Sequence, residues 1–289
     1  MAIEIKEIQA KSIIGRTSVP SADYVINPYT GCQFGCMYCF ATFMGRYIGK
    51  SNDDWGNYVH VKTNAVELMK KDIQRLIKKD PHPRVILSTV TDPYQGLENK
   101  YRLTRGILKV FAEANYQGRV GILTKSPMVL KDLEILKKLK NVEVGLSITT
   151  SDDSLSRFLE VQAPLASTRI DTLKKLNDAG IRTYAFVGPL LPHIKSQPEL
   201  LDQLFKKIAN SGTKTVKIEY LNLPKYVKNR VNKILKEEPE EIQEVYAQSQ
   251  TKKYRQDMEP IVRDLLKKHD LQLKFDEIVT HIEDQKLKE

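Results

Sequence analysis

Cysteine is scarce in this chain of 289 residues: there are three, and all of them fall between Cys32 and Cys39. An odd number confined to one short stretch excludes a disulfide framework and points to a metal site or redox centre in a reducing compartment. Long hydrophobic runs are absent too. No apolar stretch approaches the roughly 20 residues that cross a bilayer, and the opening MAIEIKEIQAKS lacks the apolar segment of a secretory signal. The expectation is a cytoplasmic protein without membrane association. No internal repeat marks a solenoid, and no low-complexity linker divides the chain. Acidic residues are outnumbered, 36 against 46 basic, for a formal charge of +10. Such a balance permits attraction to nucleic acid or an anionic metabolite. Much of the lysine, however, sits in helical patterns such as Lys131, Lys137, Lys138 and Lys140, where a solvated face accounts for it.

With 41% hydrophobic and 28% charged residues, the chain has enough apolar material for a sizeable core. Short β-rich runs alternate with stretches of helical apolar spacing, the pattern of βα units around a parallel sheet. Strands are expected at Asp23 to Asn27, Arg84 to Thr89, Arg119 to Thr124, Val142 to Thr149, Ile181 to Val187 and Thr215 to Tyr220. Helices are expected over a segment carrying Leu68, Met69, Ile73, Leu76 and Ile77, and at Thr104 to Ala114, Leu130 to Leu139, Ser167 to Ala179 and Pro198 to Ala209. Gly180 serves as a C-terminal cap of the Ser167 helix. Six such units with right-handed crossovers curl into an α/β fold, a partial (β/α)6 TIM-type barrel spanning residues 1–220, with active residues at the strand C-termini. A doubly wound open sheet is the alternative. Residues 221–289 read as a mainly helical C-terminal extension, with a break and helix start at Glu237 to Glu241. A last β-like run at Leu271 to Phe275 is followed by Ile278, Val279 and Ile282.

The loop Cys32-Gln33-Phe34-Gly35-Cys36-Met37-Tyr38-Cys39, with Gly31 and Gly35 to permit tight curvature, presents three thiols to a metal centre. A structural zinc site needs a fourth protein ligand nearby. A four-iron, four-sulfur cluster held by three cysteines instead leaves one iron open for a substrate or cofactor. Both readings stay open at this point.

The spacing CxxxCxxC, with the aromatic Tyr38 before the third cysteine, resembles the signature of the radical S-adenosylmethionine superfamily. The resemblance continues to about Tyr220 and is similar to the spore photoproduct lyase and DNA repair photolyase-like branch. It is carried by Thr91-Asp92-Pro93-Tyr94-Gln95, Leu123 to Ser126, Leu146 to Thr150, Glu160 with Arg169, and Phe186 to Pro192. It implies a [4Fe-4S] cluster on Cys32, Cys36 and Cys39, with S-adenosyl-L-methionine chelated at the open iron and cleaved by one electron. Tyr38, Thr91, Asp92, Lys125, Ser147, Glu160 and Arg169 are then expected around the cofactor. Lysine suits a carboxylate and hydroxyls suit a carboxylate or ribose, while Glu160 and Arg169 equally suit a structural ion pair. Tyr94 and Tyr101 are candidate catalytic groups, with half-buried structural tyrosines as the alternative. His193 is expected on a solvent-facing loop.

One departure restricts the chemistry. The lyase family places a cysteine hydrogen donor where this chain carries Thr89, and an alcohol does not give up hydrogen as a thiol does. The expected activity is therefore radical hydrogen abstraction from an unidentified substrate, small molecule or nucleic acid, without thymine-dimer repair. The electron would come from an external donor such as flavodoxin or ferredoxin. A nucleic-acid-binding protein with a structural or redox-sensing cluster is the competing class, although no recognisable nucleic-acid module is present.

Overall fold

A computed structural model describes residues 3–80 and 82–280. Its strands are β1 (Glu4–Ile8), β2 (Ile14–Arg16), β3 (Tyr24–Ile26), β4 (Tyr29–Thr30), β5 (Tyr58–Lys62), β6 (Arg84–Leu87), β7 (Arg119–Thr124), β8 (Val142–Ser147), β9 (Arg182–Leu190), β10 (Thr215–Tyr220) and β11 (Gln272–Leu273). The large sheet runs β11-β10-β9-β8-β7-β6-β3-β2. All its pairings are parallel except β2 with β3. From β3 to β10 each strand neighbours the next one of the sheet in chain order. A doubly wound sheet would reverse direction at a switch point; this one winds a single way and stays open, since β2 and β11 do not pair among the described residues. The fold is a partial TIM-type α/β barrel.

The strands form where the chain can be buried on both faces. β8 is buried at all six positions, whereas β7 alternates half-buried and buried residues, as expected of central and graded positions in a parallel sheet. Helix Ala65–Lys79 covers the outer face with Ala65, Met69, Ile73 and Leu76, residues spaced to make one apolar stripe. Helix Ala166–Asp178 ends two residues before Gly180, whose φ of 78° supplies the left-handed cap.

Three expectations change. The helix expected at Leu130 to Leu139 is instead a 3-10 segment, Pro127–Asp132, followed by the single turn Leu133–Leu136. Its start is set by Pro127 and by Ser126, whose hydroxyl accepts from Met128 N at 3.2 Å. Between the cysteines and the first long helix the chain forms a 3-10 segment, Phe40–Ile48, and then β5, which pairs with β1 and β4 in a separate three-stranded sheet. His193 is buried, not solvent-facing: it lies 5.3 Å edge-on from Tyr246, whose hydroxyl is 3.2 Å from Nδ1.

Beyond Tyr220 come helices Lys225–Ile234, Glu240–Gln248, which starts directly after Pro239, and Lys252–Lys268. The chain then returns to the sheet as β11, shorter than the expected Leu271 to Phe275 run; Ile282 lies outside the described residues. Among the described residues no helix is long and apolar enough to cross a membrane.

Candidate functional site

The C-terminal ends of β3, β6, β7 and β8 deliver the expected residues to one end of the sheet. After β3 and the short β4 the chain turns through Gly31 at a φ of 92°, a region costly for any side chain. A Cβ at Gly31 would collide with the Tyr58 carbonyl and ring, and one at Gly56 would lie 2.9 Å from Gly35 Cα. Glycine at these points lets the cysteine loop fold tightly against β5. Cys32 and Cys36 are buried and Cys39 is half-buried, packed with Phe34, Trp55 and Tyr58.

The loop is pinned from two sides. After β6, the Thr91 hydroxyl donates to Gly31 O at 2.5 Å, and Gln95 donates to Thr91 Oγ1 at 3.0 Å while accepting from Gln33 N at 3.0 Å. Gln33 in turn accepts from Leu97 N at 2.9 Å. Asp92 accepts from Thr124 Oγ1 at 2.7 Å, Lys125 N at 2.8 Å and Tyr94 N at 2.8 Å, so its carboxylate ties the β6 loop to the end of β7. On the other side, Met37 N donates to Leu159 O at 2.9 Å and Gln162 N to Phe34 O at 3.2 Å.

Behind the loop lies a buried charged group. Glu160 and Arg169 are both 0% exposed and form an ion pair; the Tyr38 hydroxyl donates to the same carboxylate, and Lys125 Nζ stands 3.6 Å from it. Arg169 also donates to Pro164 O at 2.8 Å and Ser147 O at 3.1 Å, so most of its fork is engaged internally. Burial alone would lift the Glu160 carboxyl, but the Arg169 and Lys125 charges outweigh it and hold the group well below the usual carboxylate range. Lys125 Nζ donates to Ser147 Oγ at 2.8 Å. Burial opposes its charge, and the Glu160 carboxylate and Cys36 sulfur reverse the balance and keep it protonated.

Thus Tyr38, Thr91, Asp92, Lys125, Ser147, Glu160 and Arg169 are brought together around the three thiols, most of them through one another. The two candidate tyrosines are not. The Tyr94 hydroxyl donates to Asp132 at 2.9 Å, beside a cleft of about 250 Å³ that also touches Glu98 and Arg105. The Tyr101 hydroxyl donates to Glu7 on β1 at 2.7 Å. Gln33, Gln95 and Tyr58 belong to the site without having been singled out. The two glutamines lie inside the quoted motifs, QFGC and TDPYQ, and were legible there as amides able to bridge backbone groups. Arg230, buried on helix Lys225–Ile234 with a terminal nitrogen on Asn52 O, has no local signal.

The thiols are not activated nucleophiles. Burial pushes Cys32 and Cys39 up and Cys36 up to about 12, whereas a reactive cysteine needs a depressed value. Buried thiols of this kind become thiolates when a metal displaces the proton. Among the described residues no three His, Cys, Asp or Glu side chains gather closely enough for a single ion, so no preformed zinc site exists there. Three thiols on one short loop are the donor set that a four-iron cluster with one open iron would need.

Comparison with known proteins agrees with this geometry. The Radical SAM superfamily model matches residues 26–204. An uncharacterized protein of Methanocaldococcus jannaschii is 39% identical over 192 residues, covering 66% of this chain and 70% of that one. The spore photoproduct lyase of Clostridium acetobutylicum is 23% identical over 222 residues, covering 76% of this chain and 62% of the lyase. A solved structure of spore photoproduct lyase complexed with dinucleoside spore photoproduct superposes with a TM-score of 0.72 at 16% identity, over 95% of this chain and 82% of that one. A lyase double mutant with bound AdoMet and the same dinucleoside gives 0.65 at 15% identity, over the same shares. The fold is therefore a shared one, and with a match across more than half its length the chain belongs to the radical SAM superfamily of enzymes.

Proposed function

We propose that Cys32, Cys36 and Cys39 hold a [4Fe-4S] cluster and that the enzyme abstracts hydrogen from a substrate other than a thymine dimer. The observation that carries this reading is the buried three-thiol loop, locked by Thr91 and Gln95 and backed by the Lys125, Glu160 and Arg169 charges. When bound, cluster and S-adenosyl-L-methionine supply one-electron cleavage of the sulfonium to methionine and a 5′-deoxyadenosyl radical.

The chain's own residues position and shield. Lys125 and Ser147, linked at 2.8 Å, offer an ammonium and a hydroxyl for the cofactor carboxylate. Asp92 fixes the Lys125 backbone, and Thr91 fixes the turn at Gly31. Tyr38 ties the cluster loop to Glu160 and, through it, to Arg169. These residues act by holding the loop in place, since their polar atoms already have partners. Phe34, Trp55 and Tyr58 keep water from the thiols.

The resemblance matches Thr89, half-buried here, to the lyase's donor cysteine, and the chain's three cysteines are all in the loop. Substrate repair by thiol hydrogen donation therefore has no group to perform it.

Anaerobic reconstitution with iron and sulfide, followed by reduction in the presence of S-adenosyl-L-methionine, tests the reading. A brown protein with about four irons, a reduced-cluster paramagnetic signal and released 5′-deoxyadenosine is expected. Cys36→Ala should abolish all three. A colourless wild-type protein with stoichiometric zinc and no nucleoside product would sink the proposal.

A further inference from the structure

Helix Lys225–Ile234 lies across the segment that follows Cys39. Tyr226 donates to Phe40 O at 3.2 Å, and Lys233 pairs with Asp53 at 2.7 Å. Between them Arg230 points inward and is only 9% exposed. One of its terminal nitrogens donates to Asn52 O, and its Nε has no hydrogen-bond partner. Two further buried hydroxyls, Tyr58 Oη and, in the segment that follows Cys39, Thr42 Oγ1, also lack partners. Burial disfavours the charge of the guanidinium, and the groups that act in its favour are Cys39, Asp53, Cys36 and Tyr58. Asp53 is already paired with Lys233 on the solvent side.

A buried guanidinium without a matched anion is strongly unfavourable. An unpaired buried guanidinium nitrogen, on the helix that caps the segment following Cys39, therefore marks the place of an anionic acceptor. A cluster on three thiolates carries net negative charge, which grows by one on reduction, and its sulfurs accept hydrogen bonds. We infer that Arg230 is the counter-charge of the cluster and sets its reduction potential, so that the C-terminal helix controls how readily the enzyme accepts its electron. This rests on the cluster assignment above. The step is the entry of one electron from an external reductant; no bond to Arg230 forms or breaks. Because the positive charge favours the more negative, reduced state, its removal lowers the potential.

The test is a redox titration of reconstituted protein, followed by paramagnetic resonance in the absence of S-adenosyl-L-methionine, so that turnover plays no part. Arg230→Gln should lower the ratio of reduced to oxidised cluster at a fixed potential at least tenfold, which is 59 mV for a one-electron couple. Lys233→Gln, on the same helix but exposed and paired with Asp53, should shift it less than threefold. Should Arg230→Gln fail to assemble a cluster, Arg230→Met carries the same measurement. Its apo form should be at least as stable as wild type, since it removes an uncompensated buried charge. A wild-type midpoint in Arg230→Gln or Arg230→Met, or an equal shift in Lys233→Gln, overturns the inference while leaving the cluster in place. A wild-type protein that assembles no cluster overturns the cluster assignment itself, and this inference with it.

Discussion

Glu160→Gln keeps the shape of a fully buried side chain while deleting its charge, leaving Arg169 and Lys125 to face a neutral amide. Removing one member of a buried pair costs about 3–5 kcal/mol, because the remaining charge stays desolvated without its partner. Glutamine still offers an oxygen to Arg169 and Tyr38, which places the expected loss near 3 kcal/mol, roughly two orders of magnitude in the folding equilibrium. The pH dependence has a definite sign. The folded carboxyl lies below its ordinary value of 4.5, so its contribution is complete above that value and is lost as pH falls through the lower folded one. The gap between wild type and Glu160→Gln should be widest at neutral pH and should close on acidification, where protonated Glu160 resembles the amide. Denaturant unfolding of the apo protein measures it, followed by circular dichroism and by fluorescence of Trp55, the single tryptophan, which packs against the cysteine loop. The double variant Glu160→Met with Arg169→Met should lose less than the sum of the two single ones, since no charge is left stranded. A gap under about 1 kcal/mol at neutral pH, or one that does not change between neutral and acid conditions, would refute the charge-pair argument.

Other sites give independent checks. Gly31→Ala forces a side chain into the left-handed region and into Tyr58; iron content after reconstitution should fall at least tenfold, and normal loading would show the turn to be dispensable. Thr91→Val deletes the hydroxyl bonded to Gly31 O and should cost about 1–3 kcal/mol of apo stability, with Thr91→Ser close to wild type; equal behaviour of the two variants in unfolding would contradict it. Lys274, paired with Glu143 and packed over the Tyr184 ring at 3.6 Å, is lowered to about 8, chiefly by burial, with Arg119 and Lys217 adding repulsion. The unfolded chain keeps that proton until about 10.5, so wild-type stability should rise between those values. Lys274→Gln should flatten this rise in a pH series of unfolding curves; an unchanged slope counts against the burial argument.

Parts of this protein are determined by sequence alone. The parallel strands were legible as short β-rich runs, such as Val142 to Ser147, set between stretches of helical apolar spacing, although the alternation in that run hides its burial on both faces. The cysteine loop was legible because its three thiols sit within eight consecutive residues, as were Gly180 and Pro239 at helix ends, where the backbone itself dictates the residue. The pairing β1-β5-β4 was not, since Tyr29–Thr30 is too short to show a period and its partners are distant in the chain. The ion pair of Glu160 and Arg169 was one of the two readings their charges offered, whereas nothing local told that Tyr94 and Tyr101 turn to Asp132 and Glu7. A side chain's partner is set by which strand ends the winding of the sheet brings side by side. The same reason hid Arg230: local spacing says only that a helix begins after Pro224, and tertiary packing alone buries one of its basic residues against Asn52, below the segment that follows Cys39.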